Sequence, residues 1–150
     1  MKHWWISLLV LLALGALSLG VFSLAENSVP EQASPSDWLR EDQIRVYSDK
    51  VILDVSNAAW FHFTDTNSMD PFLDENSNAI VIQPSSPDII AVGDVITYRS
   101  IVGTIIHRVI EKGEDAEGPY FLVKGDNNTV RDPIKVRFED IEGVVVAVIY

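Results

Sequence analysis

The chain has 150 residues, of which 47% are hydrophobic and 22% charged, a balance that suits one packed domain plus an appendage and excludes a disordered chain. With 22 Asp and Glu against 11 Lys and Arg the formal charge is −11, so most of the surface repels polyanions and nucleic acid is not an expected partner. The absence of cysteine removes disulfides, thiolate nucleophiles and cysteine zinc sites, and three scattered histidines, His3, His62 and His107, make no metal cluster, so neither metal nor cofactor is expected.

Charge is unevenly distributed. All acidic residues lie at Glu26 or later, and Lys2 is the only basic residue among the first 25. Between them Trp4–Leu24 runs for 21 residues without a charge, about 30 Å as a helix, which matches the hydrocarbon thickness of a bilayer. Residues 1–25 therefore read as a single membrane anchor, with the N-terminus cytoplasmic by the positive-inside tendency and everything beyond exported to the outer face. A cleaved signal peptide is the competing reading, because Ser23-Leu24-Ala25 places small residues where a cleavage site needs them. The run exceeds the roughly 7 to 15 residues of a signal-peptide core, which favours the anchor. Residues 26–37, ENSVPEQASPSD, read as a polar linker, and residues 38–150 as one exported domain without internal repeats.

That domain is expected to be mainly β, a folded sheet or barrel. Ile44–Tyr47 and Val51–Val55 flank Ser48-Asp49-Lys50 as a hairpin would. Ala59–Phe63, Ala79–Gln83, Asp94–Arg99, Thr104–Glu111, Tyr120–Val123 and Gly143–Ile149 are further strand-like runs, separated by Gly, Pro, Asn and Asp. Only Trp38–Gln43 reads as a short helix, with Asp37 as its cap.

Without cysteine, the available nucleophiles are serine and threonine, which need a base to take the proton. His62 lies in the aromatic run Phe61-His62-Phe63, where a partly buried structural role is the simpler reading. His107 and Arg108 interrupt the apolar strand Ile105–Ile110 side by side, so their side chains project from opposite faces. Either a rigidly held base or a solvated surface histidine fits that pattern. Two polar loops, Thr64–Pro71 and Lys124–Pro133, could complete a constellation, although each is also ordinary turn chemistry. The second lacks the alternating oxygen ligands, central Gly and closing Glu of a calcium loop.

Taken in order, Ser68-Met69-Asp70-Pro71, Val92-Gly93-Asp94-Val95-Ile96-Thr97-Tyr98, Ile106-His107-Arg108-Val109, Lys124-Gly125-Asp126-Asn127-Asn128 with Asp132, and Gly143 span about 80 residues. This ordered set resembles type I signal peptidase, in the branch of archaea and the endoplasmic reticulum where histidine replaces a lysine base. The resemblance implies a signal-peptidase-like β domain behind one transmembrane helix, acting as a serine endopeptidase on exported preproteins and cutting after small residues in an Ala-x-Ala pattern. It implies Ser68 as nucleophile, His107 as base, and Asp132 as the carboxylate supporting the imidazole. Asp126 would have a supporting role, with the two aspartates exchangeable. Thr66 and the Ser68 N–H would stand at the oxyanion. Lys124 is a weaker candidate base, because His107 occupies the family's base position. The implied partners are preprotein signal peptides, the lipid bilayer and a translocon or accessory subunits, and Ser23-Leu24-Ala25 would itself fit the cleavage rule.

This chain writes Thr66-Asn67-Ser68-Met69-Asp70-Pro71 where the family usually has Ser-Gly-Ser-Met-Glu-Pro. If the glycine serves a positive φ, asparagine is the next most tolerant residue. Three alternatives stay open: a catalytically degenerate, membrane-anchored peptide-binding β domain, a secreted structural or adhesion domain, and a dedicated processing peptidase for a restricted precursor.

Overall fold

Residues 31–150 are described by a computed structural model, in which Gln32–Tyr150 form one unit built from antiparallel strands. The apolar run Trp4–Leu24 and residues 26–30 of the linker lie outside the described residues, within which no helix is long and apolar enough to cross a membrane.

β1 (Ile44–Val46) and β2 (Val51–Leu53) pair in register Val46 with Val51. Tyr47 N–H donates to Lys50 O at 2.8 Å, so the polar triplet closes a tight turn between two β-branched segments. The main sheet holds β3 (Ala58–His62), β4 (Asn78–Ile82), β5 (Val95–Ser100), β6 (Gly103–Asp115), β7 (Gly118–Lys124), β8 (Val136–Arg137) and β9 (Ile141–Ile149). Its order is β3-β4-β9-β5-β6-β7-β8, so the C-terminal strand inserts between β4 and β5.

Central strands in such a sheet are covered on both faces and lose the polar alternation of a surface strand. Val95, Ile96, Thr97 and Tyr98 are all buried, as are Val144 and Val145 on β9. Successive residues feed two cores. Ile96, Tyr98, Val109, Phe121, Val123 and Val144 form one, and Val95, Val81, Val145, Met69 and Leu73 the other. Three register irregularities, at Ile80/Val81, Thr97/Tyr98 and Val109/Glu111, interrupt the ladders, and extra residues of this kind bend a sheet and sharpen its twist.

One expectation from the sequence is corrected. The helix expected over Trp38–Gln43 is a single 3-10 turn, Glu41–Gln43, entered from Arg40, and Asp37 does not cap it. The chain lacks room for more: Asp54 N–H takes the Gln43 carbonyl at 2.8 Å, so the backbone is already committed to the β1–β2 unit, while Trp38 packs against the first core. The described end of the linker is held against the domain. Ser36 N–H donates to Asp94 Oδ1 at 2.6 Å and Gln32 Nε2 to Asp126 Oδ1 at 2.7 Å. Gly93 makes this docking possible: with φ +104° and the Ala33–Ser34 backbone directly above, a Cβ there would lie 2.1 Å from Ser34 O.

Candidate active site

The loop after β3 carries Ser68, and its shape starts at Asn67. Asn67 has φ +54°, the left-handed conformation that asparagine tolerates best after glycine, so the missing glycine leaves the turn intact. With its amide nitrogen facing the carboxylates, Asn67 reaches Asp65 Oδ1 at 3.2 Å and Asp70 Oδ2 at 3.3 Å, while Asp70 Oδ1 is buried without a partner. Met69 and Leu73 anchor the loop in the second core. Ser68 is thereby held at the surface of the core with its side chain lining a cleft.

Across that cleft stands β6. His107 pairs with Ile96 of β5, so it shares a face with Tyr98, while the next residue, Arg108, projects the other way. His107 is 7% exposed, which overturns the solvated-histidine alternative. Its Nδ1 lies 2.8 Å from Asp132 Oδ2. The Asp132 backbone is tied to β7 by its N–H to Val123 O at 2.9 Å, which fixes where the carboxylate can reach.

The other aspartate of the loop goes elsewhere. Asp126 receives Arg108 through two bonds, Nε to Oδ1 at 2.8 Å and a terminal nitrogen to Oδ2 at 2.6 Å. The remaining Arg108 nitrogen donates to Gly93 O at 2.8 Å, and the guanidinium lies 5.0 Å from the Phe72 ring centroid. A fork–fork pair of this kind is specific in geometry as well as charge. Arg108 therefore clamps three loops, those of Phe72, Gly93 and Asp126, behind the cleft.

Gly125 separates the two sides of the site. A Cβ at this position would sit 2.4 Å from Ser68 O and 2.9 Å from His107 Nε2, so only glycine lets the Ser68 backbone and the imidazole approach each other here. Asn127 N–H donates to Ser68 O at 2.9 Å and Asn127 Nδ2 to Asn67 O at 2.9 Å, stitching the Gly125 loop onto the serine loop. The cleft has a volume of about 400 Å³, with Phe61, Phe63, Met69 and Ile106 among its walls and Thr66, Ser68 and His107 among its polar groups.

Thus Ser68, Thr66, His107 and Asp132 meet in one place, while Asp126 is drawn to the Arg108 clamp. Thr66 Oγ1 and Ser68 Oγ are 3.3 Å apart. Among the described residues no hydrogen bond joins Ser68 Oγ to His107, and the Ser68 N–H donates to no group. Lys124 is occupied with Asn128 O at 2.8 Å and does not line the cleft. His62, expected to be partly buried, is exposed and stacks on Trp60 at a centroid distance of 6.1 Å, because its strand is an edge of the sheet. Asp65, Asp74 and Glu75 bring carboxylate oxygens within 4.8 Å of one another at the surface, which alone is common among acidic loops.

Two residues escaped the sequence reading. Tyr98 is fully buried and its hydroxyl donates to the same Asp132 Oδ2 that faces His107. Burial, reinforced by the hydrogen bond to the carboxylate, pushes its phenol above the ordinary tyrosine range, so it stays a donor. A tyrosine within the largely apolar run of β5 was the only available sign. Gly125 was legible as turn chemistry but not as a spacer.

In chemical terms the arrangement combines a hydroxyl, an imidazole oriented by a carboxylate, and a backbone N–H that meets no acceptor among the described residues, beside a mostly apolar cleft. No family model and no solved structure matches the chain. It is similar to an uncharacterized protein of Methanocaldococcus jannaschii, 46% identical over 50 residues, which is 33% of this chain and 25% of that protein's length.

Proposed function

We propose that this protein is a membrane-bound serine endopeptidase of the type I signal peptidase kind, removing signal peptides from exported preproteins at the outer face of the membrane. The observation that carries the reading is the His107 Nδ1 to Asp132 contact at 2.8 Å in the cleft lined by Ser68. A carboxylate on Nδ1 sets the tautomer that leaves Nε2 free to accept a proton, which is how a neutral imidazole serves a hydroxyl nucleophile. Ser68 attacks the scissile carbonyl, His107 takes its proton and returns it to the leaving amine, and water then releases the acyl group from Ser68. The Ser68 N–H, which meets no acceptor among the described residues, supplies an oxyanion donor, with Thr66 beside it. A serine–histidine bond is often open in the unliganded enzyme and closes around substrate. The apolar walls suit small side chains of an extended peptide, and the run Trp4–Leu24 supplies the anchor. The bilayer and a translocon or accessory subunits are the partners this reading implies.

A second reading, a peptide-binding domain that does not cleave, has one observation in its favour: Ser68 Oγ pairs with Thr66 and not with His107. The deciding experiment places the full-length chain in membranes with a preprotein whose leader ends in Ala-x-Ala, beside Ser68→Ala and His107→Ala. Cleavage after the final alanine that is lost in both variants is the expected result. Peptide binding without cleavage by the folded wild type would favour the second reading.

A further inference from the structure

We propose that Tyr98 is a positioning residue that tunes His107 through Asp132, an inference that rests on the peptidase reading for its catalytic consequence. Asp132 Oδ2 accepts from the Tyr98 hydroxyl on one side and faces His107 Nδ1 on the other, so two residues of neighbouring strands hold the same oxygen. The register explains how. Ile96 is opposite His107 and Tyr98 opposite Ile105, which makes Tyr98 and His107 diagonal neighbours on one face of the β5–β6 ladder, with Asp132 reaching down from its loop between them. Core filling alone would be met by phenylalanine. The hydroxyl is what distinguishes the residue, and a buried hydroxyl is costly without its partner.

A donor on a carboxylate oxygen does two things. It prevents the carboxylate from turning away from the imidazole, and it withdraws negative charge from the oxygen, so that the imidazolium is favoured less than by an unshared carboxylate. Tyr98 thereby fixes the carboxylate against His107 Nδ1. The other ionisable groups around the imidazole leave this balance to Asp132. Arg108 on β6 faces away and is neutralised by Asp126, the Gly125–Asn128 turn offers Asn128, the serine loop offers Thr66 and Ser68, and His62 and Asp74 line the same cleft from exposed positions.

The test is the titration of the imidazoles in the full-length chain, labelled with 13C-histidine in detergent micelles, with His107 assigned from a His107→Gln sample. In Tyr98→Phe the His107 midpoint should rise by roughly half to one pH unit. The acid limb of kcat/KM should move upward by the same amount, with kcat down roughly tenfold and KM little changed. Adding Tyr98→Phe to Asp132→Asn should move neither further. An unmoved His107 midpoint in folded Tyr98→Phe, even with lower thermal stability, would reduce Tyr98 to a structural residue and overturn the proposal. Additive effects in the double variant would do the same. A wild-type chain that titrates as expected but cleaves nothing would refute the peptidase reading and leave the coupling standing. If Tyr98→Phe does not fold, the wild-type spectrum decides: a protected Tyr98 hydroxyl proton should be present and absent in Asp132→Ala, and its survival there would overturn the proposal.

Discussion

His107 and Arg108 are adjacent on one strand yet claim different aspartates of the same loop, His107 taking Asp132 at 2.8 Å and Arg108 taking Asp126 at 2.6 Å. The period-two geometry of a strand sends the two side chains to opposite faces, and the loop from Lys124 to Asp132 wraps the strand so that each meets a carboxylate. One pair lies at the candidate nucleophile and the other behind it. The division separates an assignment for chemistry from one for stability, and it can be tested by treating the aspartates alike.

Asp132→Asn should lower kcat by about a thousandfold to ten-thousandfold, because an amide no longer specifies the imidazole tautomer, while the urea midpoint changes little. Asp126→Ala should instead destabilise by about 3–5 kcal/mol, since it leaves the 7%-exposed Arg108 side chain without its buried partner. Urea unfolding and single-turnover cleavage of both variants check the pair. Equal loss of activity at equal stability would contradict the division.

Gly125→Ala should preserve the strand content and lose activity. Its Cβ would stand 2.4 Å from Ser68 O and 2.9 Å from His107 Nε2, and these groups must move apart to admit it. A displacement of about 1 Å in a reacting pair can cost roughly a hundredfold. Circular dichroism alongside kcat provides the check, and near-wild-type turnover would show that Gly125 is not a spacer.

At Asn67 the backbone decides. With φ +54°, Asn67→Gly should fold and cleave, whereas Asn67→Val should lose about 1–2 kcal/mol and turn over slowly, because a β-branched residue resists the left-handed conformation. Denaturation midpoints for the two variants measure the difference. Tolerance of valine would mean that the loop is not held by this turn.

Away from the cleft, hydrogen bonds from Arg137 and Lys135 hold the Asp115 carboxyl well below the usual carboxylate range. A depressed folded pKa contributes stability above the unfolded value of about 3.9, and that contribution fades as pH falls below it. Asp115→Asn should therefore melt below wild type at pH 7, with the gap closing as pH drops under about 4. Thermal melts across this range give the answer, and a gap independent of pH would remove the ionic account.

Much of the fold was legible because strand formation is a local matter. β-branched runs broken by Ser48-Asp49-Lys50 specify a hairpin wherever they occur, and the His107-Arg108 pair inside Ile105–Ile110 specifies opposite faces by chain geometry alone. The short helix over Trp38–Gln43 was misread for the complementary reason: Asp54, eleven residues on, takes the Gln43 carbonyl. His62 was misread because nothing in Phe61-His62-Phe63 says which strand forms an edge.

Local chemistry and order along the chain were thus enough to establish a mainly β domain, a serine loop, a histidine on a strand and two candidate aspartates. Only the tertiary structure decided that Asp132 meets His107, that Asp126 meets Arg108, and that Tyr98 shares the oxygen of Asp132. The loop from Lys124 to Asp132 has no periodicity to encode its direction, so its carboxylates are placed by what it packs against: the Arg108 guanidinium, the Ser68 backbone and the end of β7.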